Sequence, residues 1–308
     1  MRYPPLEHFV VGDLSSPRPD PVQPGLLLIG GGDHDPDAMR WFLERAGHGH
    51  VVVLRASMTT DVADEIYRRF AGAASVETFV FHDRKAASDP LMLRSLANAD
   101  GIFIAGGDQS KYVKYWKHTE VARLLDDHVA AGKPLAGTSA GLAILGEYLF
   151  SALTRARVTS ELALNNPTGR DITIDTDFLH LAVMKGYITD SHFDKRLRLG
   201  RLVAFMTRAD VLAARHGEDV EGIGVDETAA MTVLPDGEAR VYSRDPALGA
   251  TWVHEVAAKT RKGKPLETGT LLVTYLGVQS TFNLLTHEAR APRDERIVRV
   301  IDGQVHPH

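Results

Sequence analysis

A serine between two glycines, in Gly137-Thr138-Ser139-Ala140-Gly141, is where this sequence first offers chemistry. The Gly-x-Ser-x-Gly spelling fits a sharp strand-to-helix turn that lifts a hydroxyl above a sheet. Lys133-Pro134-Leu135-Ala136 reads as a short buried strand, and Ala140 to about Glu147 as a small-residue helix. Glycines on both sides let the two elements approach closely. A helix start also leaves backbone N–H groups free to bind an oxyanion. The plainer reading is a glycine-rich turn with a capping serine. The motif alone supports the two about equally.

A serine hydroxyl is a poor nucleophile at neutral pH and needs a base. Of fourteen histidines, His192 stands out because it ends the apolar run "GYITDSHF", where sheet-end functional groups belong. A partly buried structural histidine is the commoner fate of such a residue. An acid must orient the base, and "GIGVDE" offers Asp226 and Glu227 at another apparent strand end. Gly106-Gly107, followed by Asp108 and Gln109, supplies backbone N–H groups. Those of Gly107 and Asp108 could complete an oxyanion hole with that of Ala140, and one such donor is typically worth roughly 3–4 kcal/mol in the transition state. Lys195, Arg198 and Arg201 fall three apart after His192, with Arg196 beside them. Such a run is usually a solvated helix face, but arginine in this place also suits carboxylate pairing. Gly30-Gly31-Gly32 lacks the G-x-G-x-x-G order and reads as structural.

The elements that must position these groups alternate regularly from Gly25. "GLLLI", "HVVVLRAS", "ETFVFH", "ADGIFI" and "KPLAG" are apolar runs separated by helical stretches, and Asp35-Pro36 is a good helix start. This is the pattern of βαβ units and a doubly wound, mostly parallel sheet covered on both faces. In such sheets function gathers at strand C-terminal ends. Residues 151–180 break the rhythm as a loop or hairpin excursion. "LAVMKGYITDSHF" returns to a strand, followed by a helix over "DKRLRLGRLVAFMTR". The expected organisation is an N-terminal arm at 1–24 and a single α/β domain over 25–308, β-rich from about 240.

Composition bounds the remaining possibilities. The chain of 308 residues is 44% hydrophobic and 24% charged, ordinary values for a globular protein that can bury a large core. A net charge of −5 argues against general nucleic-acid binding. The absence of cysteine excludes disulfides, thiolate metal sites and cysteine nucleophiles. The first 24 residues carry prolines and charges rather than a secretory signal, and no apolar run reaches 18 residues. The expectation is a cytoplasmic protein with no membrane partner.

Together, "GGGDHDP", "FIAGGDQSKY", "GTSAGLA", "ITDSHFDKRLRLGRL" and "GIGVDE" resemble, in order, the motifs of the cyanophycinase and aspartyl dipeptidase (dipeptidase E-like) serine peptidases. The resemblance spans roughly residues 25–235. It implies a fold like that of the class I glutamine amidotransferases, Ser-His-Glu catalysis without metal or cofactor, a homodimer, and a small peptide or aspartyl polymer as substrate. By motif, Ser139 is the nucleophile, His192 the base and Glu227 the orienting acid. Gln109, Asp190, Arg196, Arg198 and Arg201 fall where cyanophycinases keep substrate-pocket residues. Cyanophycinases usually have Gln before the histidine, where this chain has Ser191, and the segment from Ser139 to His192 is longer than theirs. Glu161 and Asp171, inside that segment, are the other candidates for the acid. Two further readings compete: an α/β-hydrolase-type esterase or amidase pairing Ser139 with Asp226 and His254, and a non-catalytic ligand-binding homologue.

Overall fold

The five apolar runs become five parallel strands at the centre of one sheet. They are β2 (Gly25–Ile29), β3 (His50–Arg55), β4 (Ser75–Phe81), β5 (Gly101–Ile104) and β6 (Pro134–Thr138), in the spatial order β4-β3-β5-β6-β2. The computed structural model describes residues 3–308 except 58, 215–218, 256, 257 and 260. Part of the N-terminal arm joins the sheet: β1 (Leu6–Gly12) pairs antiparallel with β4. Beyond β2 the sheet continues antiparallel through Ala230–Val233, Glu238–Tyr242, Thr281–Asn283 and Ala289–Arg290.

Period-two alternation along fully buried β2 divides the core into two layers. Leu27 and Ile29 pack with Ala38, Met39 and Phe42 of helix α1 (Pro36–Arg45), which Asp35 caps and Pro36 opens. Leu26 and Leu28 face a second layer holding Trp116, Leu125, Met92 and Leu96. Trp116 belongs to helix α2 (Gln109–Trp116).

A second, six-stranded sheet contains β7 (Tyr187–Asp190), which runs parallel to β8 (Glu221–Val225). The remaining strands, Ala250–Glu255, Leu271–Leu276, Asp294–Ile301 and Gln304–Pro307, are antiparallel and form the β-rich C-terminal part. Helix α3 (Leu199–Ala213) packs on this sheet through Leu202, Val203, Phe205 and Met206. The fold is thus α/β, with a large central sheet parallel at its middle.

Strand order places the three glycine turns together. β6 lies between β5 and β2, so its C-terminal end, carrying Ser139, is flanked by Gly106-Gly107 after β5 and Gly30–Gly32 after β2.

Two local expectations change. After Ser139 there is no α-helix, only a 3-10 turn at Leu142–Ile144. The helix expected from Asp194 begins at Leu199, because the chain first turns: Arg196 N–H donates to His192 O, Leu197 N–H to Asp194 O and Arg198 N–H to Phe193 O, with Leu197 at φ +50°. Lys195 and Arg198 therefore precede the helix that holds Arg201.

Candidate active site

Ser139 sits in the left-handed region at φ +53°, an unfavourable conformation for a residue with a Cβ. The surrounding backbone imposes it. Ser139 N–H donates to Ile29 O (3.0 Å), Gly141 N–H to Thr138 O (2.8 Å) and Ala143 N–H to Ser139 O (3.0 Å). Glycine is needed on both sides of the turn: a Cβ on Gly137 would lie 2.6 Å from Gly141 O, and one on Gly141 would lie 2.1 Å from Ile104 O.

His192 arrives from the end of β7, also at positive φ (+45°). Its N–H donates to Gly30 O (2.8 Å), and the neighbouring Phe193 N–H donates to Val225 O (3.1 Å). Phe193 packs over Gly224, whose missing side chain leaves room for the ring. Glu227 follows β8, with its N–H held by the Asp194 carboxylate (2.8 Å). These supports bring three side chains into line. Ser139 Oγ lies 2.8 Å from His192 Nε2, and His192 Nδ1 lies 2.5 Å from Glu227 Oε2. Burial, Arg196 and Arg198 outweigh Glu227 and hold His192 below its ordinary value of 6.5. The ring is therefore neutral at pH 7. With Nδ1–H donated to Glu227, its Nε2 lone pair faces the serine hydroxyl.

The glycine run read as merely structural is built into this line. A Cβ on Gly31 would lie 2.4 Å from the His192 ring, and one on Gly32 would lie 2.9 Å from Glu227 Cγ. Gly30–Gly32 thus passes against the histidine–glutamate pair with no space for side chains. The sequence signal was there: three glycines where a nucleotide-binding turn needs a different order.

Among the described residues, the backbone N–H groups of Gly107 and Ala140 have no protein acceptor. Asp108 caps α2, accepting from Ser110 N–H (2.9 Å), and the Tyr112 hydroxyl braces the turn by donating to Ala105 O (2.7 Å). Gln109 donates to Phe150 O (3.2 Å). The cavity beside Ser139, about 630 Å³, is lined by Gly107, Gln109, Ala140, Ser191, His192 and five cations, Arg157, Lys195, Arg196, Arg198 and Arg201.

Two of those cations are engaged. Buried Asp190 receives both Arg201 Nε and Nη2 at 2.6 Å, and Arg198 Nη1 at 3.1 Å. Arg198 also donates to Ser191 O (2.6 Å). Burial pushes the Asp190 carboxyl up, but the arginines prevail and hold it below 3.8, while burial draws Arg198 down to about 10. The excursion after Phe150 forms another wall, tied to this group by Arg201 Nη1 to Val158 O (3.0 Å) and Ser160 Oγ to Leu197 O (2.6 Å). Arg157 on that wall had drawn no attention from sequence.

The remaining acid and base candidates lie elsewhere. Glu161 is exposed on the short helix Ser160–Asn165, and Asp171 neighbours Arg170 at 3.8 Å. His254 pairs with Glu221 (2.8 Å), and Asp226 accepts from Gly249 N–H (2.8 Å). The arrangement required by the α/β-hydrolase reading, with Asp226 on His254 and His254 on Ser139, is not formed.

Residues 26–234 match the sequence profile of Peptidase family S51. The chain belongs to that family. Among its relatives are cyanophycinases from Trichormus variabilis, 27% identical over 236 residues (73% of each chain), and Synechococcus elongatus, 27% identical over 281 residues (86% of this chain and 81% of the relative). The crystal structure of a peptidase from an acI-B1 Actinobacterium shares the fold at a TM-score of 0.50 and 13% identity, covering 93% of this chain and 97% of that one. The protein is thus a serine peptidase of family S51. Among the described residues no helix is long and apolar enough to cross a membrane.

Proposed function

We propose that Ser139, His192 and Glu227 are the nucleophile, base and orienting acid of a peptidase that hydrolyses aspartyl peptide or isopeptide bonds, β-Asp-Arg or related Asp-X. The observation that carries the reading is the unbroken line from Ser139 Oγ to His192 Nε2 and from Nδ1 to Glu227. His192 takes the hydroxyl proton as Oγ attacks the scissile carbonyl, and Glu227 stabilises the imidazolium so formed. General-base help of this kind typically supplies roughly 10²–10⁴-fold. The carbonyl oxygen becomes an oxyanion facing the free N–H groups of Gly107 and Ala140, with that of Asp108 the third candidate donor. His192 then protonates the leaving amine, and the C–N bond breaks to give an acyl-enzyme. Water, deprotonated by the same imidazole, releases the acid.

The aspartyl preference rests on charge and on the relatives' name. Arg198 and Arg201 surround one carboxylate, so that buried group carries a net positive charge beside the nucleophile. Such a wall suits the free carboxylate of an aspartyl residue. The relatives above are named cyanophycinases.

The test is product formation, followed by mass spectrometry, from α-Asp-X, β-Asp-X and β-Asp-Arg substrates with wild type and Ser139→Ala side by side. The expected result is cleavage by wild type alone, together with labelling of Ser139 by a serine-directed phosphonate. Equal turnover by pure Ser139→Ala overturns the proposal.

A further inference from the structure

Arg157, Lys195 and Arg196 line the same cavity, are exposed, and have no ion-pair or hydrogen-bond partner for their side chains among the described residues. No carboxylate side chain lines this cavity. The carboxylates on neighbouring residues are already engaged: Glu227 on His192, Asp194 on the Glu227 N–H, and buried Asp190 shared by Arg198 and Arg201. The cationic groups are therefore of two kinds: an inner pair held on an internal anion, and an outer trio with nothing to neutralise it.

The two stretches that carry the trio are fastened together. Arg157 precedes Val158, whose carbonyl accepts from Arg201, and Ser160 Oγ both donates to Leu197 O and accepts from Arg201 N–H (3.1 Å). The trio thus surrounds one mouth rather than being scattered over a mobile surface. Unpaired cations concentrated in one cleft attract anions and repel cations.

Resting on the aspartyl-peptidase reading above, we infer that the residue on the leaving side of the scissile bond carries an acidic side chain. Arg157, Lys195 and Arg196 are its specificity determinants. The inner pair meets the aspartyl carboxylate, and the outer trio meets the second carboxylate. An arginine or lysine leaving residue brings a further positive charge into a cleft whose lining holds no carboxylate, so basic leaving residues are the poor ones. Among the Asp-X bonds proposed above, β-Asp-Arg ranks below those with an acidic leaving residue.

The experiment uses the full-length chain and dipeptides with aspartate on the acyl side, in α and β linkage, and Glu, Leu or Arg on the leaving side. The expected order of kcat/KM is Glu, then Leu, then Arg. Arg157→Gln lowers the Glu-to-Leu ratio about tenfold, the size expected for one charge-assisted contact. Arg157→Glu, at an exposed position where charge reversal leaves folding intact by circular dichroism, moves the preference toward Arg. Raising salt from about 0.05 to 0.5 M shrinks the Glu-to-Arg ratio in wild type, because the trio is screened. Equal kcat/KM for the three leaving residues, or preference for Arg, overturns the inference. Calorimetric binding of the same dipeptides to Ser139→Ala separates this inference from the reading it rests on. Acidic-over-basic binding without wild-type turnover keeps the charge selection and overturns the peptidase reaction. Turnover with no charge preference does the reverse.

Discussion

β7 and β8 carry a histidine–glutamate group at each end, and the two groups are differently equipped. At the C-terminal end His192 meets Glu227. At the N-terminal end Glu221 accepts from Trp252 Nε1 (2.7 Å) and His254 Nδ1 (2.8 Å), with His287 Nδ1 at 3.3 Å. Both groups lie beside cavities of similar size, about 630 and 570 Å³. Of the two groups, His192 is the one with a hydroxyl on its second nitrogen, and its cavity is lined by Gly107 and Ala140, whose backbone N–H groups have no acceptor among the described residues. Glu221 is 5% exposed and surrounded by donors that tie the C-terminal strands to β8. On the proposed function, a histidine beside a carboxylate is not enough for chemistry. It also needs a nucleophile, unsatisfied donors and a route for substrate.

Three substitutions sharpen that contrast. Glu227→Gln should lower kcat roughly 10³-fold or more in a steady-state assay, since the imidazolium loses its counter-charge, and should leave the melting temperature nearly unchanged. Glu221→Gln should do the opposite. It turns a saturated acceptor into a partial donor facing other donors, at a cost of about 2 kcal/mol in denaturant unfolding, with kcat within about twofold of wild type. Equal effects of the two on turnover would erase the distinction. The smallest effect expected is that of Arg196→Gln. Arg196 is among the groups pressing His192 downward, so its removal lets the imidazole protonate more readily. The acidic limb of kcat/KM should then move to higher pH, and high salt should mimic the shift in wild type.

The parts of this site that were legible in the sequence are those with local causes. Continuous apolar runs marked β2 to β6, because strands buried on both faces need no alternation. Asp35-Pro36 marked the start of α1. Ser139, His192 and Glu227 were nameable because each follows an apolar run, although only the family resemblance chose Glu227 over Glu161 and Asp171. What stayed hidden depends on contacts distant in sequence. The close fit of Gly31 against His192 needs β7 to end beside β2. The occupation of Arg198 and Arg201 by Asp190 needs the turn at 192–198, where backbone hydrogen bonds to His192 and Phe193 override an apparently helical charge spacing. Arg157 lay in a stretch without periodicity, and the bonds from Arg201 to Val158 and from Ser160 to Leu197, distant in sequence, make that stretch a wall. The edge strand β1 was similarly silent, since its pairing with β4 joins residues far apart in sequence, from Gly12 opposite Ser75 to Leu6 opposite Phe81.

The left-handed backbone at Ser139 has a consequence for how such a protein changes under selection. Glycine adopts that conformation without a steric penalty, so Ser139→Gly relieves strain of about 1 kcal/mol while removing the hydroxyl. A lineage that no longer needed the reaction would gain stability by losing this serine first.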